Sequence, residues 1–133
     1  MSKIAFTTLL KKSDSSLSPH FGKTKWLMFL DTCSGHETSV RNTGLSARFV
    51  IETLVSERCE DVVFSHIGPG ALKEIRKRKI NGWYGPMDIP VPRLMEMLFS
   101  GQLRLARKPR PALADNSKRV VNRRASQSSR SKE

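Results

Sequence analysis

Two apolar stripes of identical spacing flank the middle of this chain, with short strand-like runs between them. Ala47, Val50, Ile51, Leu54 and Val55 fall at i, i+3, i+4, i+7 and i+8, which lays one apolar face along a helix. Val91, Leu94, Met95, Leu98 and Phe99 repeat that spacing from a start near Pro92 and stop at Gly101, a residue suited to a helix C-terminus. Between the two, Asp61-Val-Val-Phe-Ser reads as a short buried strand and Ile80 to Tyr84 as another. Gly68-Pro-Gly opens a further helix reaching about Lys79, with Pro69 well placed at its first position. A chain that alternates strand and helix must cross over its own sheet, and such crossovers are right-handed and leave the strands parallel.

The front of the chain pairs differently. Lys3 to Thr8 reads as a first strand, and Lys25 to Asp31 is a continuous apolar run, the pattern of a strand covered on both faces. His36 to Arg41 returns as a weaker edge strand, closing a hairpin. The order β-β-β-α-β-α-β-α predicts a three-layer α/β/α fold: a mixed five-stranded sheet of order 3-2-1-4-5 with helices on both faces. Ligands of open α/β sheets bind beyond the carboxyl ends of strands at a switch point, here between the first and fourth strands.

Length and charge divide the chain. Its 133 residues suffice for one domain with a core. From Arg104 to Glu133 there are ten Lys/Arg against two acidic residues, whereas the other 103 residues carry fourteen against ten. The expected organisation is an α/β domain over 1–106 and a basic, disordered tail over 107–133, whose composition leaves almost nothing apolar to bury. Two cysteines, Cys33 and Cys59, are too few and too far apart for a disulfide scaffold or a Cys-x-x-Cys motif, and they fit a reducing cytoplasm. The first residues lack a cleavage site and do not read as a signal peptide. The longest purely apolar run, Trp26 to Leu30, is far short of a membrane span.

Two of the three histidines sit in loops at the expected switch point. Ser18-Pro-His-Phe-Gly follows the first strand and Ser65-His-Ile-Gly-Pro-Gly follows the fourth, so the topology brings His20 and His66 to one edge of the sheet. A neutral imidazole ligates metals and hydrogen-bonds anions. The start of the second helix offers unpaired amides and a positive dipole end, and Gly68 and Gly70 let a bulky ligand approach the backbone. The set suits an anionic metal–sulfur or metal–oxo cluster, or a phosphate. His20 and His66 are the candidate metal ligands, with Cys33 a weaker one. Read singly, His20 is equally a solvated turn residue and His66 a packed one. His36 reads as an exposed edge residue, and Cys59 as a small buried hydrophobe at the opposite edge.

Other chemistries find little support. Gly68-Pro-Gly is neither a phosphate loop nor a dinucleotide fingerprint. Asp31, Asp61 and Asp88 are scattered, and the first strand carries threonines where a metal nuclease would want an acid. No nucleophile and base stand together, so the reading is a binding protein and not an enzyme.

Lys3-Ile-Ala-Phe-Thr, Ser18-x-His-Phe-Gly-Lys, Asp61-Val-Val-Phe, Ile67-Gly-Pro-Gly-Ala and Phe99-x-Gly-x-Leu together resemble the dinitrogenase iron–molybdenum cofactor biosynthesis family over Lys3 to Leu105. These are nitrogenase accessory proteins that bind and carry the iron–molybdenum cofactor or its precursor clusters. The resemblance implies a ribonuclease-H-like α/β/α fold and no enzymatic activity. It makes His20 the leading cluster ligand, with His20, Phe21 and Gly22 of one motif and Gly68, Pro69 and Gly70 of the other forming the cofactor site. It also implies a cofactor-synthesis or acceptor protein as partner. Asn42-Thr-Gly-Leu-Ser departs from the glycine-rich start of the first helix seen in many relatives, and the basic tail is outside the family pattern. The rival reading is a contact with nucleic acid, or with an acidic partner, made by the tail: its basic residues would hold phosphates in a salt-sensitive way, and without aromatics they would not read sequence.

Overall fold

The computed structural model describes residues 3–110. Strands β1 (Lys3–Thr8), β2 (Trp26–Asp31) and β3 (Glu37–Arg41) form an antiparallel meander. Helix α1 (Ala47–Ser56) then leads to β4 (Asp61–Phe64), α2 (Pro69–Lys77) to β5 (Asn81–Tyr84), and α3 (Val91–Phe99) to a two-residue β6 (Arg104–Leu105). The sheet order is β3-β2-β1-β4-β5-β6, with β1·β4 and β4·β5 parallel and β5·β6 antiparallel. The expected five-strand order is therefore present, extended by one edge strand.

The alternation of side chains along the strands fixes the layers. Ala5, Phe29, Val62 and Phe64 point to one face, where Val50, Ile51 and Leu54 of α1 and Leu72 and Ile75 of α2 close over them. Ile4, Phe6, Met28 and Val63 point to the other, under Val91 and Leu94 of α3. Each fully buried side chain of this kind is worth about 1.5–3 kcal/mol relative to exposure, which is what holds three short helices that would not persist alone. Local chemistry sets the helix ends. The Ser46 hydroxyl accepts from Phe49 N–H at 3.2 Å to cap α1, while Pro residues occupy the first turn of α2 and α3.

The sixth strand arises because Leu103 and Ala106 are buried on either side of Arg104–Leu105, and Ala106 N–H reaches Gly82 O at 2.7 Å. Its apolar signal is masked in the sequence by the arginines that share it. Residues 107–110, placed in the tail by composition, stay on the domain: Arg110 and Ile67 exchange both backbone hydrogen bonds, at 2.8 and 2.9 Å. The rest of the tail reading, 111–133, lies outside the described residues.

Candidate functional site

Because β1 and β4 are parallel neighbours with Phe6 opposite Val63, the loops that follow them leave from the same edge. The first loop is secured before it reaches its histidine. Leu17 is fully buried, Ser18 N–H bonds Thr7 O at 2.8 Å, and the Ser18 hydroxyl accepts from His20 N–H at 3.2 Å. Phe21 then drives its ring into the core, edge-on to Phe64 at 5.4 Å, and Phe64 meets Tyr84 in the same way. His20 is held on the outside of this anchored turn, exposed to solvent.

Gly22 has a steric reason. A Cβ there would stand 2.7 Å from the backbone nitrogen of Ala47, an approach no side chain tolerates and the neighbouring backbone cannot yield to. The loop is thereby pressed against the N-terminus of α1. Asn42, buried at the end of β3, clamps the same junction. Its amide donates to Gly22 O and Thr24 O, both at 2.8 Å, and its Oδ1 accepts from Leu45 N–H at 3.0 Å. Leu45 itself sits in the left-handed region with φ 46°, a conformation unusual for leucine that places its exposed side chain at the lip of the site.

The second histidine is fixed by a serine pair. The Ser65 hydroxyl donates to Ser18 O at 2.7 Å and lies 3.1 Å from His66 Nδ1. A hydroxyl has one proton, and with that proton on the Ser18 carbonyl the Nδ1–H form of the neutral ring is the one that completes the contact. Burial lowers the basicity of His66, the positive charges of Arg110 and His20 lower it further, and the Pro19 carbonyl acts the other way. The ring is thus kept neutral at pH values where an ordinary imidazole begins to protonate. Replacing Ser65→Ala is expected to cost about 1–2 kcal/mol, because the buried Ser18 carbonyl loses its donor, and to release the tautomer, moving the ring toward the Nε2–H form. Nitrogen-15 NMR of the ligand-free protein reads this directly, and an unchanged Nδ1–H form would remove Ser65 from the account.

Between these loops lies a cleft of about 610 Å³, lined among others by His20, Lys23, Ser46, His66, Gly68 and Ala71. No carboxylate lines it. Two helices begin at its wall. In α2, Pro69 has no amide hydrogen and Leu72 N–H bonds Gly68 O at 3.0 Å, leaving the Gly70 and Ala71 amides for an outside acceptor. In α1 the hydroxyl and carbonyl of Ser46 take Phe49 N–H and Val50 N–H, leaving the Ala47 and Arg48 amides. Both dipoles put their positive ends toward the cleft.

The structure thus brings together His20, Phe21, Gly22, His66 and Gly68. Pro69 lines a neighbouring groove instead, and Gly70 is exposed and does not line the cleft. Cys33 is not part of the site. It lies in the β2–β3 turn, and since Lys3 pairs with Asp31 while Thr8 pairs with Trp26, that turn is at the far end of the sheet. The direction of the hairpin decides this, and a strand-by-strand reading already contained it. His36 is exposed in the same turn region, and Cys59 is buried at that far end with its thiol pushed up to about 12 by desolvation. The sequence reading also missed the α1 N-terminus, Asn42 and the Ser18–Ser65 pair, none of which carries a motif of its own. The two crossover helices α1 and α2 cover the same sheet face, so the cleft is a gap between two N-termini and not a reversal of winding.

The family model described as dinitrogenase iron-molybdenum cofactor matches residues 2–101. No curated protein matches the sequence. Among solved structures, the apo form of the orange protein from Desulfovibrio gigas superposes with a TM-score of 0.75 at 19% identity, covering 82% of this chain and 96% of that one. An NMR structure of a Thermotoga protein of the DUF35 family gives 0.71 at 22% identity, covering 81% and 96%. At these identities the likeness establishes the fold.

Proposed function

The chain belongs to the dinitrogenase iron–molybdenum cofactor family, and from that premise we propose that it carries an anionic metal cluster in the cleft between His20 and His66. The observation behind this reading is the charge and donor character of the cleft: two imidazoles, a lysine and unpaired amides of two helices, with no carboxylate. Among the described residues no three His, Cys, Asp or Glu side chains gather as a metal site. A bare cation would therefore lack ligands, whereas a cluster brings its own and needs one or two from the protein. His20 is the exposed ligand, His66 the second, and the amide of Ala71 at the positive end of α2 neutralises the cargo's negative charge. A carrier of this kind takes the iron–molybdenum cofactor, its precursor or a related iron–sulfur or molybdenum cluster and hands it to a synthesis or acceptor protein. No helix of the described residues is long and apolar enough to cross a membrane.

The test is anaerobic reconstitution of purified protein with an iron–sulfur or molybdenum-containing cluster, followed by absorption and metal analysis. His20→Ala is expected to weaken loading by at least about tenfold, roughly 1.4 kcal/mol. Equal loading of wild type and variant would remove His20 from the site. Gly68→Ala provides the complementary measurement. A Cβ at Gly68 meets nothing within 4 Å, and the unfolded-state gain of Gly→Ala is offset by the poorer N-cap that Ala makes for α2, so stability should change by less than about 1 kcal/mol. If a cluster occupies that open space, the same variant loads less of it. A variant that loads normally would place the cargo elsewhere.

A further inference from the structure

On the far side of α2 from the histidine cleft, the strap that follows β6 carries a concentration of positive charge without a counter-charge. Three adjoining clefts, of about 600, 360 and 320 Å³, share Arg107 in their walls. Arg76 and Lys79 border them from α2 and its end, and Arg104, Lys108 and Arg110 from the strap. No Asp or Glu lines any of the three. The four ion pairs of the described residues, Lys3–Glu57, Arg48–Glu52, Arg78–Glu74 and Arg93–Glu96, use none of these cations.

The strap does not float. Ala106 N–H bonds Gly82 O, Arg110 and Ile67 exchange backbone bonds, Arg76 donates to Arg107 O at 3.3 Å, and the Tyr84 hydroxyl donates to Lys108 O. The Arg110 guanidinium lies over the Tyr84 ring at 4.1 Å. Like charges held at fixed spacing repel one another, a cost that an anionic partner reverses.

The chemistry between the charges selects the kind of partner. Leu105, Pro109, Leu72 and Pro69 alternate with the cations along the cleft floors, and the ring of Tyr84 has one face covered by Arg110. A nucleic-acid backbone would use the charges but leave the apolar floor idle, and Tyr84, the aromatic residue lining these clefts, already has one face taken by Arg110. A protein segment with carboxylates set among apolar side chains uses both. β6 is the edge strand of the sheet, which favours an extended segment. We propose that residues 104–110 together with the outer side of α2 form a docking platform for an extended acidic–apolar segment of a partner protein. Ile67 belongs both to the wall of the histidine cleft and to the bridge with Arg110, so a partner seated here lies beside the mouth of that cleft.

The full chain is titrated at physiological salt, without cluster, against three labelled probes. These are a short peptide alternating glutamate with leucine and valine, the same glutamates spaced by serine, and an oligothymidylate of matched charge. The acidic–apolar peptide is expected to bind about tenfold tighter than either comparator. Reversing Arg104→Glu and Arg107→Glu together should weaken it by about tenfold, whereas reversing the exposed Lys12→Glu and Arg58→Glu, with the same change in net charge, should not. Oligothymidylate binding as tightly as the peptide, or equal losses in the two double variants, would overturn the platform. The peptide should bind the His20→Ala variant normally, and wild-type protein that binds the peptide but loads no cluster would remove the carrier reading and leave the platform standing.

Discussion

Phe21→Ala should lower stability by about 3–5 kcal/mol, the usual cost of emptying a buried aromatic site. For a domain of this size that is a fall in melting temperature of more than about 10 °C. The ring is 3% exposed and stands edge-on to Phe64, so its removal opens a cavity between the sheet and the first turn of the histidine loop. That turn has no other apolar anchor between Leu17 and Thr24. Cluster loading should therefore fall with stability, and Phe21→Leu should recover part of both because it refills most of the volume. Thermal melts followed by circular dichroism measure the first effect. A loss below about 1 kcal/mol would mean that the loop is held by its hydrogen bonds and not by this side chain.

Asn42→Ala is the second large effect. The side chain is 1% exposed and satisfies two carbonyls and one amide. Truncation leaves Gly22 O and Thr24 O without these donors, at a combined cost of about 2–4 kcal/mol. It also frees Leu45 from its left-handed conformation and loosens the lip of the cleft. Asn42→Asp separates the polar from the steric contribution, since an acid of equal size would aim oxygen at both carbonyls. The carboxyl so placed has its proton held above the ordinary aspartate value. The folded variant then binds more protons than the unfolded one, and its stability falls as pH rises through that value. Denaturant melts across the acidic range should show this slope, and a flat profile would show that the carboxyl has turned out to solvent.

The two residues differ in how far the sequence exposed them. Phe21 stands inside a motif, beside a histidine that strand order alone places at the same sheet edge as His66. Asn42 looked like part of an unusual lead-in to the first helix, and nothing in its type or spacing announced three buried hydrogen bonds. Ser65 shows the same limit. Its role depends on the Ser18 carbonyl, 47 positions away in sequence, and polar contacts over such separations leave no periodicity. Cys33 illustrates a different lapse, because an antiparallel hairpin already puts the β2–β3 turn at the end of the sheet away from the histidines.

The amino-acid order by itself determined the succession of strands and helices, the sheet order of its first five strands and the shared edge of His20 and His66. Those follow from apolar spacing and from the handedness of crossovers, which are local or topological properties. Only the tertiary structure decided that two helix N-termini face the cleft, that the Ser65 hydroxyl links His66 to the Ser18 carbonyl, and that a basic strap is bound back onto the sheet. Each of these rests on atoms distant in sequence meeting within a few ångströms. Burial and hydrogen-bond geometry fix such meetings, and the identities of the residues alone do not.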